Sequence, residues 1–396
     1  MDESESTNLN ALNSRENNNF FQIDFLKAVM IFLVIFDHTI PWTIKDNIGV
    51  ALWERISIPV FLVILGFNMG LAFERKGETS LKKLYSSYFN RKYWRYIQPF
   101  IILYLISSIF GLIYYEFNPE AMVTSQLSYL HPDGYIRWRF GKINLMMLIL
   151  PFWGPGNWFI PVLFSSILIM PILYKGFSST PFWRIFTLIM CFAIEIAMQL
   201  FVYFYFFYQG IDSWDTLFLA WFFICNIFFH LSAVGLGMWF SKNHRILAKQ
   251  NLFMLILFPL SLFYIIIYQF YDIRFSFIVG DYNYFVYPYS AFLVLFVIML
   301  LPKKSDNRFA GMVSLIGKST YHILLAQIFY FGIVEALYDN HYCASIIGIN
   351  LGGGIICFIY LVINWAICIP LGVLWYRFDT KTRKEYLDNQ RKKPNK

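Results

Sequence analysis

The stretch "FFQIDFLKAVMIFLVIFDHTIPW", residues 20–42, is the first apolar segment of the chain and decides its fold class. It is long enough to cross a hydrocarbon core of about 30 Å, yet it carries Asp24, Lys27, Asp37 and His38. A charged side chain at the centre of a bilayer costs about 2.5–3.5 kcal/mol on insertion scales. A membrane helix that keeps such groups must turn them towards a bundle interior or a water-filled cavity.

The composition of the whole chain agrees with a membrane environment. Of the 396 residues, 58% are hydrophobic and 14% are charged, whereas a soluble domain has about 25% charged residues. Apolar runs of about 20 residues recur along the chain. These runs predict an all-α, polytopic transmembrane helical bundle of about ten helices. The predicted spans are 20–43, 48–73, 96–116, 143–174, 182–206, 215–240, 252–271, 284–301, 311–338 and 345–374.

Basic residues are distributed unequally between the two sets of connecting segments. One set, with both ends of the chain, holds 24 Lys and Arg residues, and the opposite set holds five. The positive-inside rule therefore predicts that both termini are cytoplasmic and that the chain is a multi-pass protein of the cell membrane. We divide it into a disordered cytoplasmic tail (1–19), a membrane domain of ten helices (20–374) and a basic cytoplasmic tail (375–396).

Two classes of site are not expected. The net charge of +8 reflects connecting segments rather than a soluble binding fold, so we expect membrane lipids and no nucleic acid as partners. The five cysteines form no CxxC motif and no Cys/His pattern, so we expect neither a metal site nor a disulfide framework. The first apolar run is too long for the apolar part of a signal peptide and is interpreted as a retained helix.

The ionisable groups of the first helix form a stripe. Lys27 and His38 are eleven residues apart, which places them about 20° apart around the helix axis and about 16 Å apart along it. Asp24 falls near the same face. A cation near the cytoplasm and an imidazole farther out suit a path that holds an anion and then performs proton chemistry. The alternative is a snorkelling Asp24–Lys27 pair with His38 capping the outer end. Asp37 points about 100° away from His38, which favours an interfacial charge and leaves an orienting role open.

Several segments then resemble, in order, the acyltransferase 3 family of integral membrane acyltransferases. "IDFLKAVMIFLVIFDH" (23–38) is similar to the family's first helix, which carries an aspartate, a basic residue, ten residues and a histidine. "IPVFLVILGFNMG" (58–70) resembles its second-helix segment, "NRKYWRYIQP" (90–99) its basic entry to the third helix, "GNWFIPVLF" (156–164) its Trp-Phe segment and "GKSTYHILLAQ" (317–327) a late Tyr/His segment.

The resemblance implies transfer of an acyl group, often acetyl, from cytoplasmic acyl-CoA to a hydroxyl of a cell-envelope or lipid-linked carbohydrate. It implies His38 as general base, Lys27 as a donor-side cation and Asp24 as its partner. Acyl-CoA would be a substrate, and no permanently bound cofactor is expected. Two positions depart from the family pattern: Leu65 stands where Ser is usual, and Gln327 stands where a histidine often occurs.

Candidate donor-binding residues follow from the charge of coenzyme A. Its phosphates need a cytoplasmic cluster of basic groups, and Arg91 and Arg95, with Lys27 deeper in the bundle, can supply one. Any cytoplasmic loop carries such charge, however, and anionic lipid also attracts it. His230 and His322 lie in apolar helices and are interpreted as core histidines.

Candidate acceptor-binding residues lie near the outer side. Glu54 can orient His38 or contact the acceptor, although an ion pair with its neighbour Arg55 is the favoured interpretation. Asn157 and Trp158 follow a Pro- and Gly-rich break in the span 143–174, where free backbone groups can meet a ligand. The alternative is a plain external turn.

A different functional class also remains open. A proton-coupled transporter or flippase for a glycolipid or small solute could use the same polar stripe as a relay, although only one broken helix is evident. A catalytically inactive scaffold is disfavoured because the chain keeps Lys27 and His38. The sequence does not specify the acceptor, the acyl chain or the oligomeric state.

Overall fold

A computed structural model defines the architecture. It describes residues 20–45, 48–75, 77, 80–114, 116, 155–208, 220, 222–271, 273, 275–305, 307–338 and 353–392. Within these ranges the protein is helical and contains no strand. The predicted tail 1–19 and the start of the predicted span 143–174, up to residue 154, lie outside the described residues.

Thirteen α-helices occur in the described ranges. They are α1 (Phe21–Thr39), α2 (Trp42–Lys45), α3 (Val50–Trp53), α4 (Ser57–Glu74), α5 (Leu81–Lys92), α6 (Gln98–Tyr114), α7 (Phe159–Ser178), α8 (Pro181–Val202), α9 (Leu231–Lys242), α10 (Met254–Tyr271), α11 (Tyr287–Leu300), α12 (Arg308–Tyr338) and α13 (Gly353–Lys392). Short π-helical segments join α5 to α6 (Tyr93–Ile97) and extend α8 (Tyr203–Phe207). Two 3₁₀ turns, Ile227–His230 and Lys249–Asn251, precede α9 and α10.

The helix α1 lies inside the bundle. It packs against α4, α11, α12 and α13, and its ends and its middle are buried. Gly317 of α12 makes one of these crossings possible, because a Cβ atom there would lie 2.0 Å from the backbone oxygen of Asp24. By contrast, α8 exposes large apolar side chains such as Phe186, Ile189 and Phe201 along its length. An inner polar helix and an outer apolar one are what a membrane bundle requires.

The structure supports part of the predicted transmembrane pattern. In the described part of the chain, five helical stretches are long and apolar enough to cross a membrane: Val50–Glu74, Phe159–Ser178, Pro181–Phe207, Lys249–Tyr271 and Ile355–Glu385. The stripe-bearing α1 is not among them, and α11 is a shorter apolar helix. Ten spans and cytoplasmic termini stay predictions.

Two helices differ from their predicted spans in ways that matter for the site. The span predicted at 48–73 is two helices, α3 and α4, separated by a turn at residues 54–56. The helix α13 runs from Gly353 to Lys392 and continues past residue 374, where the sequence division placed the start of a tail. Four of the five cysteines lie in described ranges, and all four are buried thiols: Cys191, Cys225, Cys357 and Cys368.

Candidate active site

The inner part of the polar stripe is a buried ion pair. Lys27 Nζ lies 2.8 Å from Asp24 Oδ1, and Ser314 of α12 donates a hydrogen bond of 2.8 Å to Asp24 Oδ2. The two residues are three apart on α1, the spacing at which helical side chains meet. Lys27 and Asp24 are only 8% and 6% exposed, so the pair is part of the bundle interior and not a surface pair that reaches outward to water.

His38 lies at the C-terminal end of α1, where a neighbouring carboxylate faces its ring. Asp37 Oδ2 is 3.6 Å from His38 Nδ1. Asp37 is itself held by the fully buried Lys45, whose Nζ lies 2.5 Å from Asp37 Oδ1 and donates a 2.8 Å hydrogen bond to the Asp37 carbonyl. Asp37 therefore contacts His38 despite their separation around the helix, and the orienting role that the sequence left open for Asp37 stays a prediction.

The Pro- and Gly-rich break lies directly beside His38. Residues 155–158 form a turn in which Gly156 has a φ of +90°, a conformation that favours glycine. A Cβ atom on Gly156 would lie 3.5 Å from Nε2 of His38 and 3.5 Å from Nε2 of Gln327. Gln327 also donates a 3.4 Å hydrogen bond to the Pro155 carbonyl. The unusual glutamine thus holds the turn that covers the imidazole.

A second buried carboxylate lies close to this group. Glu54, in the turn before α4, is 1% exposed and lies within electrostatic range of Asp37 and Lys45. The ion pair expected between Glu54 and Arg55 does not form, because Arg55 pairs with Asp281 at 3.5 Å. Among the described residues, neither carboxylate oxygen of Glu54 has a hydrogen-bond partner. Burial of an unpaired carboxylate is unfavourable, which makes this position a candidate for ligand contact.

Aromatic rings flank the same region. Trp158 stacks on Tyr282, with ring centroids 5.5 Å apart and planes inclined by 20°, and it also contacts the ring of His230 at 5.9 Å. Burial raises the pKa of the Tyr282 phenol well above its ordinary value, and the nearby Asp37 and Glu54 carboxylates raise it further. Tyr282 therefore stays a neutral hydroxyl that can donate a hydrogen bond. Asn157, beside Trp158, is 2% exposed.

A vestibule of about 500 Å³ opens at the other end of the stripe. Five basic side chains line it: Lys27, Arg75, Arg95, Lys318 and Arg383. Among the described residues, two acidic side chains line it: Asp24, which pairs with Lys27, and Asp379, whose Oδ2 lies 3.4 Å from Nε2 of His322. The π-helical turn at Tyr93–Ile97 brings Arg95 to this wall, and such turns are frequent at functional sites. This end of the bundle is suited to a polyanion.

A narrower apolar cavity of about 80 Å³ continues from the vestibule. The two share Lys27, Asn68, Met69, Arg95 and Tyr321, which form the throat between them. Beyond the throat the walls include Ile31, Val34, Ile58, Phe159, Leu163 and Leu324. Val34 lies one helical turn before His38, and Leu324 Cδ1 lies 3.5 Å from the Cβ position of Gly156. An apolar passage therefore leads from the basic vestibule towards the imidazole.

The structure brings most of the sequence candidates into two groups. His38, Glu54, Asn157 and Trp158 lie around the C-terminal end of α1, and Lys27, Asp24 and Arg95 line the vestibule. Arg91 belongs to α5, but its side chain lies outside the described part of the structure.

Sequence reasoning missed Arg75, Lys318 and Arg383. One signal was available for Lys318, which is a basic residue inside a predicted span. Within the described ranges, no three His, Cys, Asp or Glu side chains converge as metal ligands would.

Comparison with known proteins assigns the family. The family model described as an acyltransferase domain, that of the acyltransferase 3 family, matches residues 20–374. No curated protein matches the chain, and no solved structure matches it. The match covers nearly the whole chain and includes α1 with its stripe, the break beside His38 and the apolar cavity, whereas the vestibule residues Tyr376, Asp379, Thr380 and Arg383 lie beyond it. The chain therefore belongs to the acyltransferase 3 family and is an integral membrane acyltransferase.

Proposed function

We propose that the protein is an O-acyltransferase that moves an acyl group, most simply acetyl, from cytoplasmic acyl-CoA to a hydroxyl of a cell-envelope or lipid-linked carbohydrate. The observation that carries this proposal is the pair of adjoining cavities, one basic and one apolar, whose apolar wall includes Val34 and Leu324 near His38. Family membership favours this enzyme over a transporter that would use the same stripe as a proton relay.

Donor binding uses the vestibule and the throat. The diphosphate of CoA lies against Lys27 and Arg95, which line both cavities, because charge-assisted hydrogen bonds to phosphate are the strongest contacts available. The pantetheine arm then enters the apolar cavity. Lys27 and His38 are about 16 Å apart along α1, a distance that an extended arm covers, so the thioester arrives beside the imidazole.

The transfer step assigns His38 as the general base. With the Nδ1 proton turned towards Asp37, the Nε2 lone pair faces the space beside Gly156. Nε2 takes the proton of the acceptor hydroxyl while its oxygen attacks the thioester carbonyl carbon. The tetrahedral oxyanion needs donors, and Nε2–H of Gln327 is placed to supply one. Collapse breaks the C–S bond, and the departing CoA thiolate takes the proton from the imidazolium.

The acceptor approaches from the outer side, where Glu54, Asn157 and Trp158 lie. The buried carboxyl group of Glu54, which has no hydrogen-bond partner among the described residues, is available to sugar hydroxyls. The stacked rings of Trp158 and Tyr282 present a flat apolar face of the kind that suits the apolar face of a sugar ring.

Binding of a donor analogue tests the proposal. The purified protein in nanodiscs should bind a non-hydrolysable acetyl-CoA analogue, and a Lys27→Gln variant should bind it about 10-fold or more weakly because it loses a charge-assisted contact. Isothermal titration calorimetry measures both affinities.

A control and a second variant accompany this test. Lys249→Gln removes an exposed cation that does not line the vestibule and should bind like the wild type. The double variant Asp24→Asn/Lys27→Gln removes the buried pair together and separates loss of binding from a loss of stability caused by an unpaired Asp24. Absence of any CoA binding by the folded wild type would contradict the proposal and favour a transporter.

A further inference from the structure

The part of the vestibule that lies farther from the throat is lined by basic residues of its own. Lys27 and Arg95 border both cavities, whereas Lys318 and Arg383 border the vestibule alone. Lys318 belongs to α12 and Arg383 to the extension of α13 beyond residue 374. The two therefore lie farther from the throat than Lys27, on a wall that the sequence interpretation had assigned partly to a tail.

Arg383 lacks the acidic partner that its helical position offers. Asp379 is four residues before Arg383, a spacing at which helical ion pairs form readily. Yet Asp379 Oδ2 faces Nε2 of His322 at 3.4 Å, and no salt bridge joins Asp379 to Arg383 in the described part of the chain. Lys318 is likewise without an acidic partner within the described ranges. Two half-buried cations thus line the cavity without a salt bridge to any of the described acidic residues.

Contacts of His322 also join this wall to α12. His322 lies on α12 and contacts the rings of Trp375 and Tyr376 of α13 at 5.5 Å each. His322 and Asp379 are 3% and 9% exposed. The α13 extension is therefore packed onto α12 at residues 375–379, and Arg383 lies one helical turn farther along the same helix.

The covalent order of coenzyme A determines which group reaches this wall. The thioester is followed by the pantetheine arm, the diphosphate and the ribose with its 3′-phosphate. With the arm in the apolar cavity and the diphosphate at Lys27 and Arg95, the 3′-phosphate is the outermost anion. It is a phosphomonoester with about two negative charges, which is more than one cation can neutralise.

We propose that Lys318 and Arg383 form a subsite for the 3′-phosphate of the acyl-CoA donor. Trp94 and Tyr376 line the same vestibule and offer aromatic faces to the adenine. This inference rests on the proposed function, because it assumes that the donor is acyl-CoA. Under this inference, the α13 extension selects CoA over donors that lack the 3′-phosphate.

The test compares two ligands that differ only in that phosphate. The full-length protein in phosphatidylcholine nanodiscs is titrated with CoA and with 3′-dephospho-CoA. The wild type should bind CoA about 10-fold or more tightly than 3′-dephospho-CoA. Arg383→Gln and Lys318→Gln should each weaken CoA binding and leave 3′-dephospho-CoA binding unchanged. The ratio of the two dissociation constants should therefore fall towards one. Lys381→Gln, an exposed cation on the same helix, should keep the full preference.

Four outcomes would overturn the inference. Equal binding of the two ligands by the wild type would show that no 3′-phosphate subsite exists, although CoA binding itself would leave the proposed function intact. If Arg383→Gln weakened the binding of both ligands equally, Arg383 would act through the overall electrostatic potential or the structure of the vestibule and not through the 3′-phosphate. Competition between phosphatidylglycerol added to the nanodiscs and CoA, abolished in Arg383→Gln, would assign these cations to a lipid phosphate. Failure of the wild type to bind either ligand would contradict the proposed function as well.

Discussion

At the scale of single residues, His38, Asp37 and Lys45 meet at the C-terminal end of α1. Their arrangement resembles a general base with an orienting carboxylate and a cation that holds the carboxylate. Asp37 lies between His38 Nδ1 and the buried Lys45. An orienting carboxylate of this kind fixes the tautomer of a histidine and stabilises the imidazolium that forms during transfer. Lys45 in turn prevents Asp37 from turning away. The reactivity proposed for His38 thus depends on a residue that is adjacent in sequence.

Asp37→Asn should therefore lower kcat by roughly 10-fold or more with little change in donor KM, because the imidazole loses its orienting charge. The same change removes the carboxylate charge that the buried Lys45 contacts, which also lowers stability. The double variant Asp37→Asn/Lys45→Met should recover the melting temperature without recovering kcat. Recovery of both together would contradict an orienting role and leave Asp37 a purely structural residue.

The role of Asp37 could not be read from helix geometry. Consecutive residues on a helix point about 100° apart, which argues against an Asp37–His38 contact. The structure resolves this because the contact occurs at the last turn of α1, where Lys45 of α2 draws the carboxylate into place. By contrast, the Asp24–Lys27 pair follows from the spacing of three residues, and sequence alone was sufficient to predict it.

At the scale of elements, the crossing of α1 and α12 positions the stripe. Gly317 allows the two backbones to approach, and Ser314 on the same helix donates to Asp24. The break at residues 155–158 then covers the C-terminal end of α1, tied to α12 through Gln327. The helix α12 therefore holds both ends of the proposed reaction path.

Gly317→Ala should destabilise the protein, because its Cβ would lie 2.0 Å from the Asp24 oxygen and force the helices apart at a cost of about 1–3 kcal/mol. Gly311→Ala is the matched control on the same helix, since no atom lies within 4 Å of its Cβ position. It should be neutral or stabilising by up to about 1 kcal/mol. Melting temperatures in the same detergent compare the two, and equal values would contradict close packing at Gly317.

The elements themselves were predictable to differing degrees. The lengths of the apolar runs predicted where helices lie, because a run of about 20 residues matches the thickness of the hydrocarbon core of a bilayer. They could not reveal the turn at residues 54–56 that buries Glu54, because no proline or glycine marks that turn. Nor could they show that α13 continues past residue 374 as one helix, because polar residues beyond the membrane resemble a solvated tail. The subsite of Lys318 and Arg383 depends on that continuation.

At the scale of the whole molecule, the charge pattern and the cavities are consistent. The five basic residues of the vestibule come from α1, α12, α13 and the segments around residues 75 and 95. The segments around 75 and 95 and the α13 extension belong to the set predicted to be cytoplasmic, where acyl-CoA is available. With the vestibule on that side and the proposed acceptor-binding residues on the other, the acyl group would pass through the bundle from the cytoplasmic side to the opposite side.

Single-cysteine labelling tests this orientation. In a variant without the five native cysteines, Ser179→Cys, in an exposed turn of the basic set, should be protected from a membrane-impermeant thiol reagent in sealed cells. Ser276→Cys, exposed in the opposite set, should be labelled. Permeabilisation should expose both positions equally. The reverse pattern in sealed cells would contradict cytoplasmic termini and place the vestibule on the wrong side for acyl-CoA.

Acetyl transfer by a His38 variant tests the central claim most directly. Membranes from a strain that carries either the wild-type chain or His38→Gln are supplied with labelled acetyl-CoA, and label in the lipid and polysaccharide fractions is measured. The account predicts that His38→Gln loses about 10²–10⁴-fold of the transfer rate while the purified variant still binds CoA with the affinity of the wild type. Transfer at the wild-type rate by His38→Gln would contradict the account.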